Sequence, residues 1–160
     1  MNKQLPQLSS TKHPKKQIVR PGYWLILLLA LFANSLQAKV LEDTDKADKV
    51  SDHFMSQIAQ GEVSAAFSLI GVYLGVDAAG FEERGKKAEM SLSQLNKTLG
   101  KPLSYALLEK QAVGNHFYKI IYLLKYESAA LVWEINYYQP QEGWKLVDIT
   151  FNTDINALFK

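Results

Sequence analysis

The chain has 160 residues, 48% of them hydrophobic, 21% charged and none of them cysteine. That leaves room for one globular domain plus an appendage, too little for a doubly wound dehydrogenase or a full barrel enzyme. It also excludes a disulfide framework, a thiolate metal centre and a cysteine nucleophile. The charge divides unevenly: five basic and no acidic residues precede Lys39, while 13 basic stand against 16 acidic from Lys39 onward, a net −3. A nucleic-acid surface needs clustered Lys and Arg to displace counterions. The body has no such surplus, so no nucleic-acid partner is expected.

Residues 1–38 read as a leader. Met1 to Gly22 is basic and polar, Tyr23 to Ala33 (YWLILLLALFA) is uncharged and apolar, and Asn34 to Ala38 is short and small. That order is the pattern of a secretory signal peptide. The run of 11 residues is about half of the ~20 that a membrane-crossing helix requires. Cleavage is expected after Ala38 or after Ser35. The protein is then exported, to the periplasm or beyond. An uncleaved anchor is the alternative, and it would supply the chain's membrane contact. No cysteine follows the apolar run, which excludes a lipoprotein.

The body from Lys39 to Lys160 is expected to be a single domain, with helices first. Asp43, Thr44 and Asp45 can cap a helix and set negative charge at its start. Ala47, Val50, Phe54 and Ile58 then share one helical face. Gly61 interrupts, and Val63, Ala66, Phe67, Ile70 and Tyr73 form a second face. Gly75 to Gly80 reads as a loop. Phe81 to Leu99 is a third helix, with Ala88, Leu92, Leu95 and Leu99 in one stripe, closed by Gly100 and Pro102.

After Pro102 the apolar period changes to two. Strands are predicted at Leu103 to Val113, His116 to Tyr126, Ala130 to Tyr138 and Trp144 to Asn152. Short turns between them predict an antiparallel meander. Pairing Tyr126 with Leu131 sets Leu124 against Trp133, Tyr122 against Ile135 and Ile120 against Tyr137. Pairing Trp133 with Ile149 sets Ile135 against Val147 and Leu131 against Phe151. Every large apolar residue then falls on one face, which a one-residue slip would reverse. The fold class expected is α+β: three N-terminal helices packed on a curved, cone-like, four-stranded antiparallel sheet. The opposite face would carry Ile121, Leu123, Val132, Trp144 and Leu146, more apolar surface than a monomer usually exposes. A homodimer through that face is expected.

Three stretches carry a family resemblance: FMSQIAQGEVSAA (Phe54 to Ala66), Leu99-Gly100-Lys101-Pro102, and WEINYY followed by a turn and GWKLVDITF. With the leader, the three helices and the meander, they make the chain resemble the nuclear transport factor 2-like superfamily. This is the cone fold shared with ketosteroid isomerases and SnoaL-type cyclases, and the chain looks like its small exported bacterial members. The resemblance implies a pocket between the helices and the inner sheet face, lined here by Tyr118, Tyr122, Tyr126, Trp133, Tyr137 and Phe151. None of these is a carboxylate, and general base catalysis needs a titratable group inside.

Other chemistry is sparse. Glu134 and Asp148 would face each other on the outer face and could share a proton. His53 and His116 lack a second ligand at metal spacing, so no metal or cofactor is expected. No nucleotide cradle and no Gly-x-Ser-x-Gly is present. The function expected is an exported, non-catalytic domain that binds a small apolar ligand or a protein partner. The alternative is an isomerase or dehydratase using the cone pocket, with Asp77 and His116 as the first catalytic candidates.

Overall fold

The computed structural model describes residues 39–75 and 78–159. The leader and Asp77 lie outside the described residues.

Helix α1 spans Thr44–Gln60. The Asp43 side chain accepts a hydrogen bond from the Lys46 backbone N–H at 2.7 Å, satisfying one free donor of the first turn. Its end is set by Gly61, whose φ of 85° lets the Gly61 and Glu62 N–H groups turn back onto Ile58 and Gln57 carbonyls. Helix α2 is Val63–Gly71 and α3 is Ala78–Leu99. The expected loop before α3 is shorter than its glycines suggest, because Ala78 and Ala79 are strong helix formers and start the helix before Phe81. Phe81, Gly85, Ala88 and Leu92 make its buried stripe. At Gly85 a Cβ would stand 3.1 Å from the Phe67 ring, so α2 and α3 approach closely there.

Four strands follow: β1 Ser104–Val113, β2 Phe117–Lys125, β3 Ala130–Tyr138 and β4 Lys145–Asn152. They form an antiparallel sheet in the order β1-β2-β3-β4. The fold is α+β, with three helices ahead of a four-stranded meander, and the sheet is not strongly curled. Among the described residues no helix is long and apolar enough to cross a membrane.

The register differs from expectation in two ways. First, β2–β3 and β3–β4 both pair two residues away from the predicted alignment, Trp133 meeting Phe151 and not Ile149. Leu124 faces Leu131, Tyr122 faces Trp133, Ile120 faces Ile135 and Tyr118 faces Tyr137. The Tyr126 N–H donates to the Ala129 carbonyl at 2.9 Å, so Glu127 and Ser128 alone turn the hairpin where four residues were expected. A slip of two keeps every side chain on its predicted face. Second, β4 carries a bulge. Trp133 faces Phe151 and Ile135 faces Ile149, but past Asn136 the pairing jumps so that Tyr137 faces Leu146 and Val147 is the extra residue. One added residue reverses the alternation beyond it. Trp144 and Leu146, expected on the outer face, therefore lie in the core.

The core sits between the inner face and the helices. Phe54 of α1 meets Trp133 and Phe67 edge-on, at 5.6 and 5.5 Å between ring centres. Trp133 stacks on Phe151 at 4.7 Å. Burial of this aromatic and aliphatic face is the main source of stability.

The two sheet edges differ. On the β4 side, Leu41 exchanges backbone hydrogen bonds with Trp144, and Leu146 donates to the Tyr73 carbonyl and accepts from Gly75. The β1 side has no covering strand among the described residues.

Candidate functional site

The polar groups that reach the inner face come from helix α1. Ala47, Ser51, Phe54, Met55 and Ile58 form its buried side, and Asp48 and Asp52 flank that side one turn apart. This spacing brings both carboxylates to the seam between α1 and the sheet. The Tyr118 hydroxyl donates to Asp48 at 2.7 Å, and Lys110 Nζ donates to the other oxygen of the same carboxylate at 2.6 Å. The Tyr105 hydroxyl donates to Asp52 at 3.0 Å. Deeper in, Ser51 and Tyr137 share a hydroxyl–hydroxyl bond of 2.7 Å. At the other end of the core, the Tyr126 hydroxyl donates to Asn96 of α3 at 2.9 Å.

These contacts set the chemistry of the phenols. Burial pushes Tyr118, Tyr122 and Tyr137 well above the ordinary tyrosine range, and the Asp48 carboxylate adds to the shift. Burial also raises Tyr105 and Tyr126, with Asp52 contributing at Tyr105. Held protonated in this way, these phenols act as hydroxyls and not as phenolate bases, and Tyr105, Tyr118 and Tyr126 donate. Among the described residues two buried polar atoms have no hydrogen-bond partner: Trp133 Nε1, a donor, and Gln57 Oε1, an acceptor.

The structure brings the predicted pocket residues together, but as packed core. Tyr118, Tyr122, Tyr126, Trp133 and Tyr137 are buried and Phe151 is partly so. Of the predicted outer-face set, Ile121 and Val132 are buried and Leu123 partly buried, while the β4 bulge carries Trp144 and Leu146 inward. Trp144 packs 5.9 Å from the Tyr118 ring. The C-terminal turn Ile155–Phe159 packs against β3. His116 is exposed beside the β1–β2 turn, and His53 is exposed on α1. Glu134 and Asp148 do not face each other. Glu134 lies opposite Thr150 and pairs with Lys119 at 2.8 Å, while Asp148 lies opposite Asn136, 3.6 Å from Arg84. A two-residue slip of β3 against β4, which sets Trp133 opposite Phe151 and not Ile149, causes that separation. Among the described residues no cluster of three or more His, Cys, Asp or Glu could hold a metal.

Asp48 and Asp52 were missed as site residues. Their signal was in the sequence: two carboxylates four apart on the helix whose intervening Ser51 continues the apolar stripe.

No protein-family model matches the chain. No curated protein is significantly similar to it. Among solved structures, the chain is similar to the crystal structure of a DUF4783 family protein from Bacteroides ovatus. The identity is 10%, over 62% of this chain and 90% of that one, with a TM-score of 0.39. A likeness of that size carries no argument about function.

Proposed function

We propose that this chain is an exported, nuclear transport factor 2-like domain that works by holding a protein partner, a second copy included, without turning over a substrate. The observation that supports it is the state of the inner face. The residues that would line a cone pocket are packed against each other and against α1, and four tyrosine hydroxyls are committed to Asp48, Ser51, Asp52 and Asn96. The three-helix, four-strand order supports the superfamily reading at the level of architecture, and a fold of this kind hosts binding domains as well as enzymes. Export rests on the leader's composition alone.

A native mass spectrum of the protein from the exported fraction of its host tests this. The expected result is a mass beginning at Leu36 or Lys39, in a protein–protein complex that carries no small-molecule adduct. A monomer with an adduct of a few hundred daltons would overturn the partner-binding reading in favour of an occupied pocket. A retained leader would replace the exported protein by an anchored one.

A second reading, a small-molecule isomerase or dehydratase, is favoured by one arrangement: Asp48 and Asp52 meet Tyr105, Tyr118 and Lys110 at a seam that is only partly closed to solvent. In it a carboxylate would take a substrate proton while a phenol donates to the oxygen that gains charge. Activity lost in Asp48→Asn with the fold intact would establish it.

A further inference from the structure

Asp45, Asp48 and Asp52 recur at three- and four-residue spacing and so share one side of α1. Lys46, Lys49 and His53 each follow one residue later, about 100° further round the helix. The sheet meets the acidic side twice, one helical turn apart. At Asp48 a phenol and an ammonium share the carboxylate, the Tyr118 hydroxyl donating to Oδ1 at 2.7 Å and Lys110 Nζ to Oδ2 at 2.6 Å. At Asp52 the Tyr105 hydroxyl donates to Oδ1 at 3.0 Å, and no Lys, Arg or His among the described residues forms an ion pair with that carboxylate. A second observation falls at the same place. Tyr122 is only 2% exposed, and its hydroxyl lies in the field of the Asp52 and Asp48 carboxylates. Unlike Tyr105, Tyr118, Tyr126 and Tyr137, it makes no hydrogen bond among the described residues. Its ring centre is 6.1 Å from that of Tyr105, with 60° between the planes, so two aromatic walls meet beside Asp52.

We propose that this corner, between α1 and the β1–β2 pair, binds a primary ammonium group carried on an unbranched alkyl chain. The inference goes beyond the partner-binding reading, because the site is made by this chain's own side chains whatever carries the ammonium. An ammonium has three donors. The Asp52 oxygen that Tyr105 does not use and the lone pairs of the Tyr122 hydroxyl supply acceptors. The two rings add attraction for a cation and an apolar surface for its alkyl chain. Lys110 at Asp48 shows the same chemistry within the chain, one turn away. Other ligand classes fit less well. Three aspartates on one helix side repel an anion. A guanidinium binds best to both oxygens of a carboxylate, and Tyr105 already holds one of them. A divalent cation needs more oxygen ligands, and the described residues contain no cluster of three or more groups that could hold a metal.

The test titrates the full chain, labelled with ¹⁵N, and follows its backbone amide shifts. The probes are n-butylammonium, n-pentanol as an uncharged match in shape, and Nα-acetyl-lysine methylamide as a protein's lysine side chain. The expected result with n-butylammonium is a saturable change centred on Asp52, Tyr105 and Tyr122. Its dissociation constant should be on the order of millimolar, because one partly open carboxylate carries the charge. Pentanol should bind roughly tenfold more weakly, as should n-butylammonium to Asp52→Asn, which keeps the shape and removes the charge. Tyr122→Phe should cost roughly threefold. The site is overturned by changes that do not saturate and spread equally to Glu42 and Glu62. It is also overturned if pentanol matches n-butylammonium, or if Asp52→Asn with a native circular dichroism spectrum binds as the parent does. Should Asp52→Asn fail to fold, the pentanol comparison and Tyr122→Phe decide the question. Tighter binding of the lysine derivative assigns the ammonium to a protein's lysine, and tighter binding of n-butylammonium assigns it to a free alkylamine.

Discussion

The Ser51–Tyr137 bond allows a quantitative test of how α1 is fixed on the sheet. Both residues are fully buried, 86 positions apart in sequence, and joined at 2.7 Å. Removing one hydroxyl leaves the other without its partner in a medium that cannot replace it, at about 1–3 kcal/mol. The two single variants should differ. In Tyr137→Phe, Ser51 can fall back on the helix carbonyl four residues earlier, which limits the loss to about 1 kcal/mol. In Ser51→Ala the phenol has no such refuge, and the loss approaches ~2 kcal/mol before a gain of a few tenths from alanine's helix propensity. With both hydroxyls gone no orphan remains, so the double variant should be little worse than the worse single one. The cycle then yields a coupling of about 1 kcal/mol. Urea unfolding followed by tryptophan fluorescence measures all four proteins, provided the m-value holds constant. Strict additivity, with coupling below about 0.3 kcal/mol, would refute the bond as a link between helix and sheet.

Three further predictions follow from the same packing. Because Tyr118, Tyr122 and Tyr137 bind their protons more tightly folded than unfolded, the stability they contribute is complete below about pH 10 and is lost as pH rises above it. Absorbance at alkaline pH should show these phenols ionising only with unfolding, and full ionisation near pH 10 in a protein with native circular dichroism would contradict it. Leu146→Ala should cost about 2–5 kcal/mol because the bulge buries this side chain, while Thr150→Ala on the exposed face should cost under about 0.5; equal small losses would place Leu146 outside the core. At Gly143, with φ of 67°, an added Cβ would collide with Val40 Cγ1 and approach the Leu41 carbonyl to 2.8 Å, whereas at Gly61 it would meet nothing within 4 Å. Gly61→Ala should therefore cost about 1 kcal/mol of backbone strain and Gly143→Ala clearly more by thermal unfolding; equal losses would argue against the Leu41–Trp144 bridge.

Much of the architecture was legible because its signals are local. Asp43 and Gly61 bracket α1, Gly100 and Pro102 end α3, and the change of period at Leu103 marks the sheet. What was not legible follows from symmetry in the pattern. Alternating apolar residues distinguish a register from its neighbour one residue away, but not from one two residues away, since both keep the same face inward. The bulges were signalled only faintly, by paired apolar residues at Leu107–Leu108 and Leu146–Val147, where strict alternation breaks. The α1–sheet seam could not be read at all from strand alternation. It depends on which helix lies over β1 and β2, and that placement brings Asp48 to Tyr118 across 70 residues.

By itself, then, the sequence determined the order of the elements and the inward faces of β2 and β3, because capping, turn chemistry and hydrophobic period act over a few residues. Tertiary structure decided the rest. The hairpin closure chose the register, the β4 bulge moved Trp144 and Leu146 into the core, and helix placement joined the carboxylates of α1 to the phenols of the sheet. It also paired the Trp144–Leu146 end of β4 with Leu41 and Tyr73–Gly75 and gave β1 no covering strand among the described residues, because a backbone donor's partner is set by which segments meet in space.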